Sequence, residues 1–152
     1  MGSLVCLMVV GFLSVVIQYT AGIRCQHPWI PFGRNCYYFS SKKQVTFFVA
    51  MDACDSMGGH LLEIRNKLEE NWISKQIKKK GYNRGVWLGF HDMNHEGQFV
   101  SLSSGGGNLC YSNWHQWEPN DAGGEDCVMF IRQTKTWNDL KCSKYLNYVC
   151  KK

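Results

Sequence analysis

The chain has 152 residues, 45% of them hydrophobic and 14% aromatic, which is enough apolar surface for one folded domain with a substantial core. Its net charge of +5 is unevenly spread. The basic run Lys75, Lys78, Lys79, Lys80 and Arg84 holds a single aromatic, Tyr82, and not the interleaved set a nucleic-acid surface uses, so it reads as a solvated helix end. The opposite sign collects in Glu118, Asp121, Glu125 and Asp126, with no basic residue among them.

In chain order, Leu4 to Ile17 is an almost unbroken apolar run, followed by the small residues Thr20, Ala21 and Gly22. This predicts a secretory signal over 1–22 and a secreted, extracellular domain over 23–152. The run is shorter than the roughly 20 residues a membrane span requires, and no later stretch is apolar enough, so membrane insertion is not expected. In an oxidising compartment the cysteines become a disulfide problem. Cys6 leaves with the signal, and Cys25, Cys36, Cys54, Cys110, Cys127, Cys142 and Cys150 remain, an odd number. Sequence alone does not choose their connectivity. No Cys-x-x-Cys pair is present, which argues against a zinc ribbon or a thioredoxin-type centre.

Cys25 to Cys36, with Trp29, Phe32 and Tyr37-Tyr38-Phe39, predicts a short aromatic hairpin. Phe47, Ala50, Ala53, Cys54 and Met57 fall at helical spacing over Thr46–Met57, and Gly58-Gly59 ends that helix. A second helix begins at Asn66, a good N-cap with Glu69 as capping-box partner. It carries Leu68, Trp72, Ile73 and Ile77 on its apolar face and closes at Gly81. Strand candidates follow at 86–90, 98–100, 109–114, 127–132 and 145–150, with a Gly/Ser loop at 103–108. Helices first and strands mostly after predict an α+β domain.

Between two of these strands runs a long polar loop, Gln116 to Asp126. Glu118-Pro119-Asn120-Asp121 and Glu125-Asp126 offer oxygen ligands only, and Trp137-Asn138-Asp139 adds a second Asn/Asp pair. Hard oxygen donors suit calcium rather than zinc or copper. The same residues also make an ordinary solvated turn, and composition leaves both readings standing.

Taken together, Cys25…Cys36, Trp87-Leu88-Gly89, Glu118-Pro119-Asn120, Trp137-Asn138-Asp139 and Cys127…Cys142…Cys150 resemble the long-form C-type lectin domain, most nearly the small secreted perlucin-like lectins of invertebrates. That resemblance implies a two-helix fold with antiparallel sheets, a long calcium-binding loop region and the pairings Cys25–Cys36, Cys54–Cys150 and Cys127–Cys142. Cys110 is left over, either a buried thiol acting as a small hydrophobe or a bridge to a second chain in a homodimer. The buried thiol is the expectation.

The resemblance further implies a principal Ca2+ site of Glu118, Asn120, Glu125, Asn138 and Asp139, the same residues contacting carbohydrate. An auxiliary site would use Asp92, Glu96, Asp121, Glu125 and Asp126. Pro119 is expected in cis and Trp137 as a packing anchor. Glu-Pro-Asn implies mannose-type glycans (mannose, fucose, glucose, N-acetylglucosamine) on microbial or self glycoconjugates, in an innate immune role. The small Ala122 beside the site implies weak, broad monosaccharide binding. Trp117 and His115 flank it.

An alternative of another class is a structural protein of matrix or mineral surfaces, with Lys75 to Arg84 as the anionic-matrix contact. An enzyme is not expected. The acids are accounted for as metal ligands, and no nucleophile, base and orienting partner occur in recognisable order.

Overall fold

The computed structural model describes residues 24–41, 43–103, 107 and 109–152. The expected signal at 1–22 lies outside the described residues, as does most of the Gly/Ser loop. The elements are β1 (Ile30–Phe32), β2 (Asn35–Phe39), α1 (Phe47–Ser56), β3 (His60–Leu61), α2 (Lys67–Lys80), β4 (Gly85–His91), β5 (Val100–Ser101), β6 (Cys127–Ile131), β7 (Thr136–Leu140) and β8 (Asn147–Lys151). The sheet runs β1-β2-β8-β4-β6-β7, with β3 on β8 and β5 on β4. Every pairing is antiparallel except β4 with β8. The α+β expectation therefore holds.

Strand β4 reads as a continuous apolar run because the core lies on both of its faces. Val86, Leu88 and Phe90 join Val128, Phe130, Trp137 and Val149 on one side, where α2 contributes Ile73 and Ile77. Trp87 points the other way and joins Met129, Cys127, Cys150 and the α1 residues Phe47, Ala50 and Cys54. The period-two alternation of a strand sorts these residues into two cores. Trp87 is fully buried, meets the Phe47 ring edge-on at 5.6 Å, and donates its indole N–H to the Val45 carbonyl at 3.0 Å. At Gly89 a Cβ would come within 2.7 Å of the Leu61 carbonyl oxygen, so only glycine lets β4 approach that segment so closely.

Three disulfides join Cys25–Cys36, Cys54–Cys150 and Cys127–Cys142, the pairings the resemblance implied. Cys54–Cys150 ties α1 to the terminal strand. Cys127–Cys142 closes the open end of the β6–β7 hairpin.

Both helices lie where their periodicity placed them, but the inward face of α2 differs from expectation. Leu68 is 75% exposed, while Glu69 and Glu70 are buried. The two carboxylates have internal partners that Leu68 could not satisfy. Glu69 accepts from the Tyr37 hydroxyl at 2.7 Å, Lys151 Nζ at 2.7 Å and the Arg65 amide at 2.9 Å. Asn66 caps α2 by accepting from the Glu69 amide at 2.9 Å. The reciprocal capping bond reaches Arg65 and not Asn66 itself. Gly81 closes the helix in the left-handed conformation, φ +74°.

The strand expected at 109–114 is absent. The segment meets the outer edge of β7 only around Trp114, which bridges Trp137, with the Trp137 amide donating to the Asn113 carbonyl at 2.7 Å and the His115 amide to the Trp137 carbonyl at 2.8 Å. Conversely, Thr136–Leu140 is a strand although Asn138 and Asp139 are poor strand formers. Cys110 is exposed, which corrects the expectation of a buried thiol.

The Cys54–Cys150 bridge spans 96 residues and Cys25–Cys36 spans 11. On loop-closure entropy the longer link should contribute roughly 2 kcal/mol more. Denaturant unfolding of the two Cys→Ala pairs should show that difference, and equal losses would contradict it.

Candidate functional site

The β6–β7 hairpin positions the site. Val128 pairs with Asp139 and Met129 with Asn138, and the register is fixed by Trp137 two residues earlier. Trp137 is fully buried, stacks on Phe90 at 5.4 Å and meets Trp114 edge-on at 5.9 Å. It is the packing anchor the sequence suggested. Asp139 follows at the rim of the core, 1% exposed.

Asp139 gathers the long loop. Its Oδ2 accepts from the backbone amides of Asn120 at 3.0 Å and Asp121 at 2.7 Å. The Glu118–Pro119 bond is cis, as expected. Asn120 Nδ2 donates to Glu118 Oε2 at 2.5 Å, so the two side chains already meet as donor and acceptor. Asp121 Oδ1 accepts from the Glu125 amide at 2.7 Å, which folds the acidic segment back on itself. Asn138 Nδ2 donates to the Asp139 backbone carbonyl.

Electrostatics follow from that crowding. Loss of water, then the facing Asp139 and Glu125 carboxylates, push Glu118 up to about 7. Loss of water and the charge of Asp139 likewise raise Glu125, partly offset by Lys141. Lys141 was not singled out in the sequence. Its Nζ lies against the loop, 3.3 Å from where a Cβ on Gly123 would stand.

A second group forms where β4 ends beside the start of β6. Asp92, Glu96 and Asp126 each bring a carboxylate oxygen within 4.8 Å of the others. Asp92 Oδ2 accepts from the Gly97 amide at 2.8 Å. Burial, then the Asp126 charge, raise the Asp92 carboxyl. Partial loss of water and the facing charges of Asp92 and Asp121 raise Glu96. Asp121 therefore lies between the two groups. His91, which drew no attention in the sequence, is half-buried beside Asp92, and burial holds its imidazole below the ordinary range.

Both groups fit a hard cation by a test independent of resemblance. Asp139 Oδ1 and Asp92 Oδ1 are buried without a hydrogen-bond partner. Such an atom costs about 1–3 kcal/mol, more when charged, unless something else engages it. Every donor in both sets is oxygen, the chemistry calcium takes. The residues suited to hold it are Glu118, Asn120, Glu125, Asn138 and Asp139 in the first set. Asp92, Glu96 and Asp126, with Asp121 adjoining, make the second. Ala122 is exposed, Trp117 is 84% exposed and His115 is half-buried at the loop's edge.

One supporting residue was not legible as such. Glu70, 1% exposed on α2, accepts from Trp137 Nε1 at 3.3 Å and from Asn113 Nδ2 at 3.0 Å. Asn113 also donates to the Lys135 carbonyl at 2.8 Å. Glu70 thus ties α2 to the strand that carries Asn138 and Asp139. Glu70→Ala leaves the buried Trp137 indole N–H without an acceptor and takes from Asn113 one of its two acceptors, and should cost about 1–3 kcal/mol. Lys67→Ala, which removes only the exposed partner of the Lys67–Glu70 pair, should cost less than about 1 kcal/mol. Denaturant unfolding of both variants checks this, and similar losses would deny Glu70 its tying role.

The Lectin C-type domain family matches residues 43–152. A perlucin-like protein of Mytilus galloprovincialis is 34% identical over 95% of this chain and 98% of its own length. The low affinity immunoglobulin epsilon Fc receptor of Mus musculus is 39% identical over 90% of this chain, which spans 39% of that receptor. Among solved structures, the cow C-type carbohydrate-recognition domain of CD23, crystallised in the presence of a GlcNAc2Man3 oligosaccharide, superposes with a TM-score of 0.75. It is 36% identical, over 85% of this chain and 95% of that one. The chain belongs to the C-type lectin domain family.

Proposed function

We propose that the protein is a secreted, calcium-dependent lectin that binds mannose-type sugars on microbial or self glycoconjugates, in innate glycan recognition and without chemistry on the sugar. The observation that carries this reading is the convergence of Glu118, Asn120 and Glu125 on Asp139, whose buried Oδ1 lacks a protein partner. The oligosaccharide present with the similar cow domain supports a glycan as the ligand.

Calcium, when bound, supplies a positive centre to which vicinal hydroxyl oxygens can coordinate. The chain's own residues then decide which hydroxyls fit. Ionised Glu118 can only accept a hydrogen bond, whereas the Asn120 amide offers one oxygen and two N–H donors. Each hydroxyl can donate to a carboxylate and accept from an amide, and charge-assisted bonds of this kind are the strong ones. Asp139 and Asn138 repeat the same division on β7. Glu118 ahead of Asn120 fixes the order of acceptor and donor, which supports the equatorial 3- and 4-hydroxyls of mannose over the galactose arrangement. Ala122 presents only a methyl group, so a single sugar gains little contact area and useful avidity requires several sites.

Retention on mannose-agarose with calcium and release by chelator tests the reading, and no retention would sink it. Exchanging the order with Glu118→Gln and Asn120→Asp should move inhibition from mannose toward galactose, by about tenfold or more if one charge-assisted bond is at stake.

The proton competes with the cation at Glu118. Its carboxyl stands near 7 without a cation, above its unfolded value, so the folded chain takes up a proton as pH falls through 7. Calcium affinity should be flat above about pH 8 and fall up to about tenfold per unit below 7, one proton being displaced per ion. Titration calorimetry at several pH values in buffers of different ionisation enthalpy measures both affinity and proton release. An affinity constant from pH 8 to 5.5 would contradict this.

A further inference from the structure

The β6–β7 hairpin holds the acidic groups at one end and a basic hollow at the other. A cavity of about 330 Å3 is lined by Ser74 and Lys78 of α2 and by Arg132, Gln133 and Lys135 of the hairpin turn. No acidic residue lines it. Among the described residues the ion pairs use Arg65, Lys67 and Lys151, so Lys78, Arg132 and Lys135 are not neutralised by a carboxylate. Arg132 Nε is buried without a hydrogen-bond partner, a donor held at the wall of the hollow. The turn is rigid. Lys135 holds φ +60°, its carbonyl accepts from Asn113 Nδ2, the Arg132 amide donates to the Arg84 carbonyl at 3.0 Å, and Gln133 Nε2 donates to the Asn83 carbonyl at 2.8 Å. Beside it, Lys79 and Lys80 complete the last turn of α2.

We propose that this hollow is a calcium-independent site for a sulfate-bearing polysaccharide. Three cations around one concavity match a tetrahedral oxyanion ester, since guanidinium forks and ammonium groups are its usual partners. Ser74 and Gln133 add a hydroxyl and an amide suited to neighbouring sugar hydroxyls. A nucleic acid is disfavoured because no aromatic side chain lines the hollow to stack a base. A membrane surface is disfavoured because none of the exposed large apolar residues, Phe48, Val49, Leu68, Met93, Trp117 and Tyr145, lines it. The choice of a glycan over other polyanions rests on the lectin reading, while the anion site itself does not. Two different sites at opposite ends of one hairpin would let the domain hold an acidic polysaccharide matrix and still read neutral sugars.

The test is binding of the intact chain to heparin in chelator at 0.05 and 0.15 M salt, beside single-stranded DNA of equal charge and mannan with calcium. The wild type should bind heparin without calcium, more weakly at the higher salt, and DNA at least about tenfold less tightly. The variant Lys78→Gln, Arg132→Gln, Lys135→Asn should lose at least about tenfold in heparin affinity at the lower salt, with mannan binding and thermal midpoint unchanged. Lys78→Gln alone, on an exposed helix position, gives a smaller loss of the same kind should the triple variant fold poorly. Unchanged heparin affinity in these variants, or heparin binding abolished by chelator, overturns the site. DNA bound as tightly as heparin overturns the glycan assignment. Failure of mannan binding alone bears on the lectin reading and leaves the anion site standing.

Discussion

The functional end of this domain depends on one carboxylate. The loop 116–126 contains no helix or strand, and Asp139 Oδ2 anchors it by accepting two successive amides, those of Asn120 and Asp121. Asp139 can do this only because β7 is held in register by Trp137, buried among Phe90, Trp114 and Tyr111. The other Asp139 oxygen then stands buried and without a protein partner, beside Glu118 and Glu125. An arrangement that positions the loop so firmly also concentrates negative charge, and a divalent cation is the simplest relief.

The ordered side of the structure makes that concentration affordable through polar contacts that are satisfied. Glu63, Glu69 and Glu70 are all nearly fully buried, yet each carboxylate accepts several bonds. Glu63 takes the Ser103 amide at 2.8 Å and hydroxyl at 2.7 Å, together with Arg65 at 2.9 Å. Glu69 joins β2, β8 and the start of α2, while Glu70 reaches Trp137. Removing Lys151, the buried partner of Glu69, is costly, because it leaves a desolvated charge behind. The contrast with Asp92 and Asp139 is informative. Among the described residues, the buried carboxylate oxygens without a partner belong to those two aspartates, one in each acidic group.

The local signals were legible in the sequence. Asn66 and Gly81 bounded α2, Gly58-Gly59 ended α1, and the apolar run around Trp87 marked the strand at the centre of the sheet. The acids of the loop and the Trp137-Asn138-Asp139 segment stood out by composition, and resemblance supplied the disulfide pairing that composition could not. What was missed depended on partners far away in the chain. Leu68 reads as core by periodicity, but Tyr37 and Lys151 draw Glu69 inward instead. Residues 109–114 have strand-forming side chains but meet the edge strand β7 only around Trp114. Thr136–Leu140 has the edge and unpromising side chains. Glu70 and Lys141 act through neighbours that sequence spacing does not reveal, and the exposure of Cys110 likewise depends on how its segment lies on the surface.

Calcium titration calorimetry at pH 7.5 tests the central claim most directly, with Asp139→Asn and Asp92→Asn measured beside the wild type. Saturable uptake with a dissociation constant of about 10⁻⁴–10⁻³ M is expected. Each substitution should remove uptake at its own group and spare most of the other. No uptake by the wild type at 10-fold that concentration of calcium, or uptake indifferent to Asp139→Asn, would contradict the assignment of the loop carboxylates as a cation site.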